Sequence, residues 1–133
     1  MTLSPDEKRD ISAVRIQKAA EFLEDARASF NEKRYRTSVN RSYYAVLNAV
    51  RALLIMDGAN PETHEGIITM LSLRFIKPEK MPVSVIKDFK VLLSRRTDVD
   101  YGDFDSIDRE DSNDSLTKAE TIINEIEKAL KSF

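Results

Sequence analysis

At 133 residues the chain has the size of one ordinary domain, and no internal stretch has the composition of a linker, so residues 1–133 are expected to form a single unit. Hydrophobic residues make up 41% and charged residues 33% of the chain, which supplies a core and a solvated surface and excludes an intrinsically disordered protein. With no cysteine there is neither a disulfide nor a cysteine-ligated zinc, and a net charge of −2 gives no general pull toward polyanions.

Three glycines and four prolines are too few to punctuate many short strands, so the chain reads as all-α. No apolar run approaches the roughly 18 residues of a membrane span, and a cytoplasmic protein with no membrane contact is expected. The first helix opens at Ser4-Pro5-Asp6-Glu7, a capping serine followed by a proline and a glutamate three residues after the cap. Ile11, Ala19, Phe22, Leu23, Ala26 and Phe30 then recur at helical spacing as far as Asn31.

A second helix is predicted from about Tyr35 to Asp57, ended by Gly58. Tyr35, Val39, Tyr43, Val46, Leu47, Val50, Leu53 and Leu54 fall on one side of it and form its core face. A shorter third helix begins after Asn60-Pro61 and carries Ile67, Ile68, Leu71 and Phe75 before Pro78. The fourth starts near Pro82, buries Val85, Ile86, Phe89, Leu92 and Leu93, and ends at Gly102. The fifth starts near Ser106 and buries Leu116, Ala119, Ile122, Ile123, Ile126 and Leu130. Short connections make sequential neighbours antiparallel, so the expected fold is an up-and-down bundle of four to five helices. The broad apolar stripes and the aromatic surface of Tyr35, Tyr43 and Tyr44 favour a homodimer.

Two places carry more than a bundle requires. On the outer face of the second helix, Arg34, Thr37, Arg41, Tyr44, Asn48 and Arg51 share a sector opposite the predicted core face. Guanidinium groups with a phenol and an amide between them suit a phosphate and a stacked base, although a solvated or dimer-packed face has the same pattern. At the end of the fourth helix, Arg96 projects in line with Ile86, Phe89 and Leu93, so this arginine points along the core stripe. Asp100, four residues on, is its expected partner, either as a structural ion pair or as part of a site.

Eight acids fall between Asp98 and Asp114, and Asp98, Asp100, Asp103 and Asp105 gather at the negative end of a helix dipole. They are expected to face the basic start of the second helix, Lys33, Arg34, Arg36 and Arg41, or the Arg95-Arg96 pair. A calcium loop fails on spacing, because Asp103 stands where the glycine is needed and Arg109 where the glutamate is needed. His64 is the only histidine, so a histidine-rich metal site is impossible, and no glycine-rich phosphate loop is present. No cofactor or metal is expected.

The run Asn40-Arg41-Ser42-Tyr43-Tyr44-Ala45-Val46-Leu47-Asn48-Ala49-Val50-Arg51-Ala52-Leu53-Leu54, followed by Thr63-His64-Glu65-Gly66 and Arg96-Thr97-Asp98-Val99-Asp100-Tyr101-Gly102, resembles the HEPN domain family, in particular its small stand-alone prokaryotic members. The likeness covers nearly the whole chain. It implies a four- or five-helix bundle, frequent homodimers, and pairing with a small nucleotidyltransferase in two-component, often toxin–antitoxin, systems. Active members are metal-independent ribonucleases whose signature is an Arg followed four to six residues later by a His, the pair meeting its copy across the dimer.

Arg95 or Arg96 matches that Arg, but Asp100 and Tyr101 stand where the His is expected. Cleavage through the RNA 2′-hydroxyl needs a base near neutral pKa and a cation for the developing charge. Arginine supplies the cation, whereas an Asp starts from about 3.9 and a neighbouring arginine lowers it further. The leading expectation is a HEPN-like module that partners a nucleotidyltransferase and holds a nucleotide or RNA phosphate through Arg41, Tyr44, Asn48, Arg51, Arg95 and Arg96. The alternatives are an endoribonuclease using Arg96 with His64, Asp100 or Tyr101, and a purely structural dimerisation bundle.

Overall fold

The computed structural model describes residues 2–103 and 106–133. The Ser4 hydroxyl accepts from the Glu7 backbone N–H at 3.1 Å while the Glu7 carboxylate accepts from the Ser4 N–H at 2.9 Å, and this reciprocal cap starts α1 (Pro5–Asn31). A short connection through Lys33, which takes a left-handed φ of 63°, reverses the chain into α2 (Tyr35–Met56).

α2 is the axis of the bundle and packs against α1, α4 and α5. The predicted stripe Val39, Tyr43, Val46, Val50, Leu53 and Leu54 is buried, with Tyr35 and Leu47 at its edge. Burial extends well beyond that stripe, because the small residues Ser38, Ser42, Ala45, Ala49 and Ala52 are buried as well. Two of the contacts with α1 are explicit. Ser38 Oγ donates to the Ala26 carbonyl at 2.8 Å and Ser12 Oγ donates to the Ala52 carbonyl at 2.9 Å. Such bonds require the two backbones to approach closely, which only small side chains permit.

Gly58 follows α2 at φ 85°, the left-handed position that closes many helices. A Cβ there would meet only Lys8 Nζ at 3.9 Å, so Gly58→Ala is strained by backbone conformation alone. It is expected to cost about 1 kcal/mol, read as a lower urea midpoint with unchanged m-value.

Thr63 caps α3 (His64–Leu71) by accepting from the Gly66 N–H, and α3 runs on into a π-helical turn, Ser72–Ile76, that buries Phe75. α4 (Val83–Tyr101) buries Val85, Ile86, Phe89, Leu92 and Arg96. Gly102 ends it without a left-handed turn. Its N–H bonds the Asp98 carbonyl at 2.9 Å, and a Cβ would lie 2.6 Å from that oxygen.

α5 (Arg109–Leu130) begins three residues later than the sequence suggested, because Asp108 and Asp111 form a second reciprocal cap. Three of the eight acids, Asp108, Glu110 and Asp111, therefore sit at the positive end of a helix dipole, where they are favourable. Asp105 lies outside the described residues. The bundle is all-helical with antiparallel neighbours, and no helix among the described residues is long and apolar enough to cross a membrane.

Candidate functional site

The last turns of α4 meet the first half of α2 at Arg96, which is only 9% exposed. Its guanidinium carbon lies 5.5 Å from the Tyr43 ring centroid, 5.3 Å from that of Tyr44 and 5.6 Å from that of Tyr101, so the cation is bounded by three aromatic rings. Nη2 donates to the Tyr44 hydroxyl at 2.7 Å, and Nε makes an ion-pair contact of 2.8 Å with Asp100 Oδ2 one turn on. Burial works against the cation, but the Tyr44 hydroxyl, and then Asp100 and Tyr101, more than offset it, so the Arg96 pKa is raised. The rest of the guanidinium fork has no hydrogen-bond partner among the described residues, while Tyr101 beside it is 74% exposed.

Asp100 has a second tie. Its Oδ1 accepts from Asn40 Nδ2 at 2.9 Å, and Asn40 Oδ1 accepts from Arg41 Nη1 at 2.8 Å. Arg96, Asp100, Asn40 and Arg41 thus form one polar chain from α4 to α2. Arg41 also lies 5.8 Å from the centroid of the Phe22 ring, which is itself 5.8 Å from that of Tyr44.

His64, the first residue of α3, reaches the same place through Tyr43. Its Nδ1 is hydrogen-bonded to the Tyr43 hydroxyl, and the two ring centroids are 5.6 Å apart. Burial pushes the Tyr43 phenol well above its ordinary pKa of 10, so it stays protonated. With no other acceptor among the described residues, the phenol donates to Nδ1, and the imidazole proton is assigned to Nε2. Burial, and then the Arg96 charge, lower the His64 pKa from its ordinary 6.5, so the ring is neutral at pH 7.

A histidine whose folded pKa is depressed contributes stability that is complete above its unfolded pKa and is lost as pH falls below it, because the unfolded chain takes up the proton first. His64→Asn retains an acceptor for Tyr43 but does not titrate. It should flatten the fall of the urea midpoint between about pH 6.5 and pH 5 relative to wild type, and parallel pH profiles would contradict this.

Other sequence-predicted residues go elsewhere. Arg95 turns toward α5, donating to Asp114 Oδ2 at 2.7 Å and Ser115 Oγ at 3.0 Å, and so clasps α4 to α5 on a different face from Arg96. Asn48 donates back to the Tyr44 carbonyl at 2.9 Å. Arg51 lies two turns further along α2, beside Arg15. Arg34 and Thr37 are exposed, and the basic start of α2 borders Val99 and Ile107 near the acidic turn. The polar sector of α2 is not a free outer face, since Arg41, Tyr44, Asn48 and Arg51 are all half-buried. Among the described residues, no group of three or more His, Cys, Asp or Glu could hold a metal ion.

The arrangement ties together three segments that are far apart in sequence, and a family model, HEPN domain, matches residues 12–129 across all of them. The chain belongs to the HEPN domain family. It is 30% identical over 126 residues to a UPF0332 protein of Thermotoga maritima, spanning 95% of this chain and 96% of that one. It is 32% identical over 129 residues to a Methanocaldococcus jannaschii protein named "Putative toxin MJ0605", with 97% and 95% covered. The crystal structure of TT1696 from Thermus thermophilus superposes with a TM-score of 0.77 at 18% identity, covering 89% of this chain and 97% of that one, which shows a shared fold.

Within this HEPN domain, sequence reasoning did not assign two residues to the site. Tyr43 was placed in the core, where its ring is fully buried, yet its hydroxyl orients His64. Asn40 joins Asp100 to Arg41. It stands one turn before Tyr44, a spacing that could have marked it as a neighbour on the same face.

Proposed function

We propose that this HEPN domain is one half of a toxin–antitoxin-like pair, acting beside a small nucleotidyltransferase, and that it holds a nucleotide or RNA phosphate at the Arg96–Arg41 surface. One observation carries the reading. Arg96 is nearly buried and ringed by tyrosines, but its fork is only partly matched by Tyr44 and Asp100, and it opens beside the exposed Tyr101 ring. A guanidinium with N–H groups left over, a second cation at Arg41, the Nε2–H of His64 and an exposed aromatic ring suit a phosphate with a stacked base. The outward Tyr101 ring also suits a homodimer contact. The toxin names of two Methanocaldococcus jannaschii relatives support the toxin-like part of the reading.

Titration of the purified protein with ATP and with a short single-stranded RNA tests it. Binding by wild type that is weakened in Arg41→Ala and in Arg96→Lys is expected. Absence of binding by wild type, or equal binding by both variants, would leave Arg96 as a structural ion pair in a dimerisation bundle.

A second reading, a metal-independent endoribonuclease, is favoured by the position of His64, which shares the Tyr43 ring with Arg96. Its difficulty is the tautomer, because the basic Nδ1 lone pair is engaged by Tyr43. Labelled RNA incubated in EDTA decides: cleavage that disappears in both His64→Asn and Arg96→Lys supports the enzyme, and intact RNA ends it.

A further inference from the structure

A separate pair of arginines lies near the far end of α2. Arg15, from α1, donates through Nη1 to the Arg51 backbone carbonyl at 3.2 Å and through Nη2 to Asn60 Oδ1 at 3.0 Å. Neither Arg15 nor Arg51 has a carboxylate within ion-pair distance among the described residues, whereas Arg9, Arg27, Arg74, Arg95 and Arg96 each have one. Arg51 Nε is buried without a hydrogen-bond partner. Burial, and then the charge of Arg51, lower the Arg15 pKa.

Two half-buried arginines, the guanidinium of one bonded to the backbone carbonyl of the other and neither with an acid in reach, concentrate positive potential on a chain whose net charge is negative. No carboxylate among the described residues lies in ion-pair reach of either arginine, so an anion arriving from solvent meets no competitor here. Guanidinium forks match phosphate oxygens in pairs, and Asn60, whose oxygen is taken by Arg15, keeps its amide N–H groups as further donors. Seven residues of α2 separate Arg51 from Tyr44, about 10 Å along the helix, which is too far for one phosphate to serve both places.

We infer that Arg15, Arg51 and Asn60 form a second anion subsite, distinct from the Arg96 surface, that takes a phosphate group. The phosphate is either a free small anion or one unit of a nucleic-acid strand running along α2 toward Arg41. This subsite does not depend on phosphate binding at Arg96.

The experiment uses two probes, inorganic phosphate followed by the Nε–H resonances of the arginines, and a short single-stranded RNA followed by anisotropy over a range of KCl. In wild type, at least one probe shifts the Arg15 and Arg51 resonances, and this response persists in Arg41→Ala. If the source is a strand, Arg15→Gln weakens RNA binding about tenfold and lowers its salt slope by about one. If the source is a free anion, Arg15→Gln weakens phosphate alone. Arg51→Lys keeps the charge and loses the fork, and it should fall between wild type and Arg15→Gln. The inference is overturned if neither probe moves those resonances in wild type, or if Arg15→Gln binds both probes as wild type does. Failure of Arg41→Ala and Arg96→Lys to alter binding while Arg15→Gln does would instead sink the Arg96 reading and leave this one standing.

Discussion

Phe89→Ala is expected to destabilise the bundle by about 3–5 kcal/mol, a large share of what a domain of this size has available. Phe89 is 1% exposed, in the middle of α4, and its ring centroid lies 6.0 Å from that of Tyr43. Truncation removes the apolar contact and leaves a cavity beside a phenol that cannot move without releasing His64. The loss should therefore show in two measurements. The urea midpoint falls, and the His64 imidazole, observed by NMR, titrates closer to its ordinary 6.5 as Tyr43 loosens. Leu73→Ala, at a side chain 47% exposed, is the control and should stay within about 0.5 kcal/mol of wild type. A Phe89→Ala cost below that of a surface substitution would mean that the α2–α4 contact does not hold the bundle together.

Arg96→Met is expected to cost about 2–3 kcal/mol, somewhat below the range for breaking a fully buried ion pair, because the Asp100 side chain is 25% exposed and keeps its bond from Asn40. Methionine retains most of the aliphatic stem between Tyr43 and Tyr44, so the loss reports the charge and its hydrogen bonds more than packing. The uncompensated groups are the Asp100 carboxylate and the Tyr44 hydroxyl. Asp100→Asn in the Arg96→Met background should be less costly than in wild type, with a coupling of about 1–2 kcal/mol in the double-mutant cycle. Additive effects would show that Asp100 stabilises the protein through Asn40 and not through Arg96.

Much of this was legible in the sequence, and the rest was hidden for identifiable reasons. Ser4 and Glu7 announced α1, and Gly58 announced the end of α2, because caps and left-handed glycines act over a few residues. Arg96 could be placed on the core stripe and paired with Asp100 because both belong to one helix and helical phase is computable. The start of α5 was misplaced because Asp108 and Asp111 form a capping box with an acid in each role, which differs from the usual serine and glutamate pattern. The breadth of α2 burial was underestimated because Ser38, Ser42, Ala45, Ala49 and Ala52 are small, and their burial is decided by α1. Contacts between elements were the least accessible. Nothing in local sequence says that His64 meets Tyr43, that Arg95 turns from its neighbour toward Asp114, or that Arg15 crosses to Arg51.

Tyr43 joins the interior of the bundle to the candidate site. Its ring belongs to the interior of the protein and its hydroxyl to the histidine, so a single side chain serves two masters. Removing the oxygen alone, as in Tyr43→Phe, would leave the ring packed as it is and the imidazole without its tether.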